Sequence, residues 1–136
     1  MNPTYEEKFN QRYDSLNKQQ KNAVDSIDGP LLVIAGPGSG KTEILSLRVA
    51  KILRTTDALP QHILLLTFTD TGAHTMRERL VELIGSAAYR VRIYTFHAFA
   101  SDIINRFPGL FFNGAKFQVA SDLARFSILE SIFKAL

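Results

Sequence analysis

The stretch Ala35-Gly36-Pro37-Gly38-Ser39-Gly40-Lys41-Thr42 follows directly on the apolar run Leu31-Leu32-Val33-Ile34. That order predicts a strand, a phosphate-binding loop and the start of a helix. Glycines at 36, 38 and 40 free the backbone and clear side chains from the space a phosphate would fill. The loop amides and the helix N-terminus behind them then face the negative oxygens. In this reading Lys41 reaches the β- and γ-phosphates of a nucleoside triphosphate and the Thr42 hydroxyl ligates Mg2+. The strict form of such a loop opens on Gly; here the small residue at the strand exit is Ala35. The competing reading is a glycine-rich turn with a chance Lys-Thr. The flanking segments favour the loop, since Leu45, Val49, Ile52 and Leu53 recur at helical spacing after it.

Working outward, Asn17-Lys18-Gln19-Gln20 reads as a capping box, with Gln20 reaching back to the N-cap of a short helix that runs to about Ile27. Residues 1–15 read as a polar, loosely ordered lead-in. Downstream, Ile63-Leu64-Leu65-Leu66-Thr67 is a continuous apolar run, the pattern of a strand buried on both faces. A helix is expected from about Thr71 to Ile84, a third strand at Val91–Tyr94 and a helix over 97–106. The remainder, 110–136, holds a possible strand at Lys116–Val119 and a helix capped by Ser121 or Asp122. That helix carries Leu123, Phe126, Ile128, Leu129, Ile132, Phe133 and Leu136, apolar over a wide arc.

Alternation of strands and helices predicts the α/β class: a three-layer parallel sheet with crossover helices. Ligands of such sheets bind outside the C-terminal ends of the strands. Three segments sit there: Ala35–Thr42, Thr67–Thr71 and Thr95–His97.

The 136 residues suffice for one modest domain, and 46% hydrophobic with 21% charged is a globular composition. No cysteine is present, which excludes disulfides and thiolate metal sites. Apolar runs fall far short of the ~20 residues that span a bilayer. The polar start Met1-Asn2-Pro3-Thr4 lacks a signal-peptide core, so a cytoplasmic location without membrane contact is expected. A net charge of +3 without a basic run says little about nucleic acid. Hydrolysis by such a loop also needs an acidic residue at the end of an apolar strand. No apolar run here ends in Asp-Asp or Asp-Glu, and Asp70 sits where a helix cap is the commoner role.

Four segments in order resemble the UvrD/Rep-type superfamily 1 DNA helicases. Leu16-Asn17-Lys18-Gln19-Gln20-Lys21-Asn22-Ala23-Val24 is similar to the family's Q motif, and Ala35–Thr42 to motif I, where an initial Ala is usual. Leu66-Thr67-Phe68-Thr69-Asp70-Thr71-Gly72-Ala73-His74-Thr75-Met76 resembles motif Ia, and Tyr94-Thr95-Phe96-His97-Ala98-Phe99 resembles motif Ib. The likeness covers residues 16 to about 106. It implies a RecA-like nucleotide-binding domain, incomplete here, with ATP and Mg2+ as cofactors and single-stranded DNA as partner.

Residue by residue, the resemblance implies that Gln20 pairs with adenine beside Ala35, Gly36, Pro37, Gly38, Ser39, Gly40, Lys41 and Thr42, with a pure capping role as the alternative. Phe68 would stack on a base, or else be a core aromatic. Thr67, Thr69, Thr95 and His97 would contact phosphate or sugar, and His97 could equally be structural. Departures from the motifs are Asp70 for Asn, Thr71 for Lys, Ala98 for Ser, and Glu43 where Arg is frequent. Glu43 is expected to weaken nucleotide contact.

Motif II and the second RecA-like domain are missing from these residues. The expectation is therefore the front part, 16–109, of the ATP-binding domain of an ATP-dependent 3′-to-5′ DNA helicase, with 110–136 as a helical passage toward a further subdomain and no activity in the isolated chain. The alternative is a complete, non-hydrolytic, nucleotide-responsive module that binds single-stranded DNA or protein, with 123–136 as a partner or self-association face. A P-loop kinase lacks a recognisable acceptor site and lid.

Overall fold

The computed structural model describes residues 3–111 and 120–135. The chain divides into two compact units, Met1–Phe96 and His97–Leu136.

In the first unit, α1 (Tyr5–Asp14) precedes α2 (Lys18–Asp25) and α3 (Lys41–Thr55). Then come β1 (Leu64–Thr67), α4 (Asp70–Ile84) and β2 (Arg92–Thr95). Helix α1 replaces the loosely ordered lead-in expected over 1–15. Thr4 caps it in a full capping box: the Glu7 amide donates to Thr4 Oγ1 at 3.2 Å and the Thr4 amide to the Glu7 carboxylate at 2.7 Å. Phe9 anchors it in the core, with the Tyr13 ring stacked on it at 5.8 Å and the Arg54 guanidinium over it at 4.2 Å. Thr-x-x-Glu is a helix-start signal, and a polar composition hid it.

Helix α2 begins as read: Asn17 and Gln20 form both arms of a capping box. Tyr13 links α1 to its far end by donating its O–H to the Asp25 carboxylate. That bond holds Asp25 below and Tyr13 above their ordinary pKa ranges.

Helix α3 lies between two apolar clusters. Ile44, Leu47 and Ala50 join Phe9, Ala23, Val24 and Leu83 on one side. Val49 joins Met76, Leu80, Ala88 and Val91 on the other. The helix is therefore buried on two faces, and Leu45, expected on its buried stripe, is exposed.

Strands β1 and β2 pair in parallel, Leu65 opposite Ile93 and Thr67 opposite Thr95. Leu65 and Ile93 face the second cluster, while Leu64 on the opposite face is exposed. Burial on both faces, expected from the apolar run, is thus not observed: one side of the pair is covered. Leu31–Ile34 is not a strand. A strand exists through ladder hydrogen bonds to a neighbour, and the sheet among the described residues is the β1–β2 pair. Leu32 and Ile34 are 84% and 91% exposed as a result. The architecture observed is α/β with a two-stranded parallel sheet, short of the expected three-layer sheet.

Helix α4 buries Met76, Leu80 and Leu83, the face its periodicity predicted. Its N-cap is Thr69, so Asp70 lies inside the first turn instead of capping. It ends at Gly85, followed by a 3-10 segment, Gly85–Arg90. Arg77 fastens that segment by donating to the carbonyls of Ala88 and Val91.

The second unit is described by itself. Its helices are α5, which starts at the unit boundary (Phe96–Arg106), and α6 (Asp122–Ala135). Ser121 caps α6 through the Ala124 amide. Leu123, Phe126, Ile128, Leu129, Ile132 and Phe133 are all exposed. The strand expected at Lys116–Val119 lies outside the described residues. No helix among the described residues is long and apolar enough to cross a membrane.

Candidate nucleotide site and strand-end surface

The loop 35–42 leads directly into α3, with Gly40 as N-cap. Gly38 and Gly40 hold φ of 73° and 79°, the left-handed region that a side chain resists. A Cβ at Gly36 or Gly38 would meet no atom within 4 Å, so the loop borders open space. Ser39 Oγ closes the turn on Gly36 O at 2.7 Å. The Lys41 ammonium folds back across the loop and donates to Ala35 O at 3.1 Å and Gly36 O at 2.6 Å. An ammonium has three donors, so one remains for an incoming oxygen. Below the loop, buried Ser46 donates to Thr42 O at 2.9 Å and pins the first turn of α3.

Gln20 joins α2 to this loop. Its Oε1 accepts from the Asn17 amide at 2.9 Å, and its Nε2 donates to Ser39 O at 3.2 Å. A carboxamide keeps a second lone pair and a second N–H after those bonds. Capping and base pairing are therefore compatible at this residue. A pocket of about 260 Å³ opens beside it, lined by Asn17, Gln20, Ala23, Val33, Ala35 and Ser39 among others. A second, of about 290 Å³, is lined by Leu31, Val33, Lys41, Leu45 and Arg48 with Ala23 and Ile44. Arg48, which donates to Ala23 O at 2.7 Å, escaped the sequence reading because it lies beyond the loop motif.

No group of three or more His, Cys, Asp or Glu side chains suited to a metal occurs among the described residues. A Mg2+ ion at Thr42 would depend on phosphate and water oxygens for its other ligands, the ordinary arrangement for this ion.

Glu43, the departure expected to weaken nucleotide contact, is turned into an ion-pair network. Its carboxylate meets Arg79 of α4 at 2.8 Å and Arg12 of α1 at 3.6 Å. Arg12 also pairs with Glu82.

At the strand ends the register sets Thr67 beside Thr95, each followed by Phe. The Phe68 and Phe96 rings meet at 5.0 Å with planes 45° apart. Phe68 is 87% exposed among the described residues. Thr69 Oγ1 accepts from the Gly72 amide at 3.0 Å, leaving its hydroxyl hydrogen for another acceptor. Thr67, Phe68, Thr69 and Thr95 are thus neighbours within the first unit. His97 is exposed and belongs to the second unit. Phe96 was missed as a candidate, although the repeated Thr-Phe dipeptide at paired positions marks it.

The chain is similar in sequence to DNA helicases. The chain is 35% identical over 125 residues to the ATP-dependent DNA helicase PcrA of Bacillus subtilis, covering 92% of the chain and 17% of that protein. It is 39% identical over 98 residues to PcrA of Staphylococcus aureus, covering 72% of the chain and 13% of that protein. It is 46% identical over 90 residues to DNA helicase II of Rickettsia typhi, covering 66% of the chain and 13% of that protein. The chain therefore spans under a fifth of the length of these relatives. The profile of the UvrD/REP helicase N-terminal domain matches residues 16–136. The chain belongs to the UvrD/REP helicase N-terminal domain family.

Proposed function

We propose that this chain supplies the phosphate-loop wall of the ATP site of a 3′-to-5′ DNA helicase, together with part of its single-strand track. The observation that carries the reading is the loop itself: two left-handed glycines, Lys41 folded across it, and Gln20 joined to it through Ser39. Lys41 would hold the β- and γ-phosphates, Thr42 the Mg2+ ion, and Gln20 the adenine edge. Mg2+ would supply charge neutralisation at the transferred phosphate. Residues 16–109 form the front of a RecA-like domain in this reading, 1–15 lead into it, and 110–136 lead onward. In the three-layer sheet of this reading Leu31–Ile34 is a further strand that needs a ladder partner, consistent with its exposed apolar side chains. A cytoplasmic location follows from the same reading.

Phe68 and its neighbouring threonines are assigned to single-stranded DNA. An exposed ring offers a π face that any base can cover, worth about 1–3 kcal/mol per base. Threonine hydroxyls hold phosphates without reading sequence. The test combines turnover with oligonucleotide binding by the purified 136-residue chain. We expect no Lys41-dependent ATP hydrolysis, because no acidic strand end accompanies the loop. We also expect Phe68→Ala to weaken binding of a fluorescent oligo(dT) by about tenfold, within that stacking range. Robust Lys41-dependent hydrolysis, or oligo(dT) binding indifferent to Phe68, contradicts the reading.

A second reading, a non-hydrolytic binding module, draws on α6. Its exposed apolar residues form the kind of surface that proteins bury against a partner, a second copy of the chain in the first instance.

A further inference from the structure

Glu43 stands in the first turn of α3, directly after Lys41 and Thr42. An anion at that position opposes what the loop is built to attract. The amides and dipole of a helix N-terminus favour one negative group, and a carboxylate there competes with a phosphate. The structure answers with cations from two other helices. Arg79 reaches Glu43 Oε2 from α4 at 2.8 Å, and Arg12 reaches Oε1 from α1 at 3.6 Å. The three side chains are only 24–36% exposed, which limits solvent screening of the cluster. Glu82 in turn takes part of Arg12, so Arg79 is the closer and less shared partner of Glu43.

We propose that Arg79 is an affinity-setting residue for the nucleotide site, acting through Glu43: it neutralises the carboxylate beside the phosphate loop and lets the loop accept a triphosphate. Arg79 touches no nucleotide in this scheme. It is a positioning residue whose charge is felt through its partner. The inference rests on the proposal that loop 35–42 binds the phosphates of ATP.

This scheme gives the two partners of one ion pair opposite effects, which a merely structural bridge would not do. Arg79→Gln leaves Glu43 under-compensated and should weaken binding of a fluorescent ATP analogue with Mg2+ by about three- to tenfold at low salt. Glu43→Gln removes the repelling charge and should bind at least as tightly as the unaltered chain. The double variant should return to within about twofold of Glu43→Gln, a non-additive cycle. The deficit of Arg79→Gln should also shrink as salt rises from 50 mM to 500 mM, because loss of the Arg79 guanidinium opens the Glu43 carboxylate to screening ions.

Thermal unfolding of each variant accompanies the titrations, and affinities are referred to the folded fraction. Equal losses in both single variants, or a double variant as weak as Arg79→Gln, overturn the proposal in favour of a structural bridge. An Arg79→Gln chain that binds as the unaltered one does also overturns it. If the unaltered chain itself fails to bind the analogue, the underlying reading of the loop falls, and this inference with it.

Discussion

Lys41→Ala is expected to lower the affinity of the chain for an ATP analogue with Mg2+ by about 10- to 100-fold while leaving its unfolding temperature nearly unchanged. The magnitude is that of a charge-assisted hydrogen bond to a phosphate oxygen, about 1.5–3 kcal/mol. The insensitivity of stability follows from the environment of the side chain. Lys41 is exposed, and its two acceptors are loop carbonyls that water can serve as well. Surface changes of that kind usually fall within about 0.5 kcal/mol. Lys41→Arg should not rescue binding fully, because a planar fork does not reproduce the point charge of an ammonium. Fluorescence titration beside thermal unfolding measures both quantities. A loss of stability that matches the loss of affinity would assign Lys41 a structural role.

Gly85→Ala is expected to destabilise the first unit by about 1–3 kcal/mol, the cost of a strained backbone conformation. Gly85 ends α4 at φ 59° and ψ −140°, a combination that favours glycine. Space is short as well. A Cβ there would lie 2.6 Å from Tyr5 Oη and 2.7 Å from Tyr5 Cζ. Tyr5 is 54% exposed, so its ring can swing aside, whereas the backbone strain cannot be relieved without unwinding the end of α4. The double variant Gly85→Ala/Tyr5→Ala should therefore recover little stability. Urea unfolding of the three proteins reads this directly, and full recovery in the double variant would place the cost in the ring contact.

How far these features were legible differs by element. The glycine turn that leads into α3, the Asn17–Gln20 box and α4 are local patterns, and each appears where its spacing put it. Helix α1 carried local signals too, Thr4 with Glu7 and the aromatics Tyr5, Phe9 and Tyr13 at helical spacing, but the polar residues between them outweighed both. Leu31–Ile34 shows the opposite failure. The residues have strand character, yet a strand is a property of a pair, and the described residues offer this segment no ladder. Side-chain partnerships across distant sequence were invisible for the same reason. Glu43 and Arg79 lie 36 positions apart, and nothing local announces that a substitution beside the phosphate loop is balanced from α4. The strand-end surface was half legible: the register that sets Thr67 beside Thr95 turns two separate Thr-Phe pairs into one aromatic step.

The central claim is that the loop 35–42, backed by Gln20, holds the phosphates and base of ATP. Backbone amide spectra of the 15N-labelled chain, recorded with and without MgATP, test it residue by residue. The expected result is a set of shifts concentrated at Gly36–Thr42, with the Gln20 side-chain amide moving in step and saturating at the same nucleotide concentration. Saturable shifts that spare Gly38, Gly40 and Lys41, or no shifts at millimolar MgATP, would contradict it.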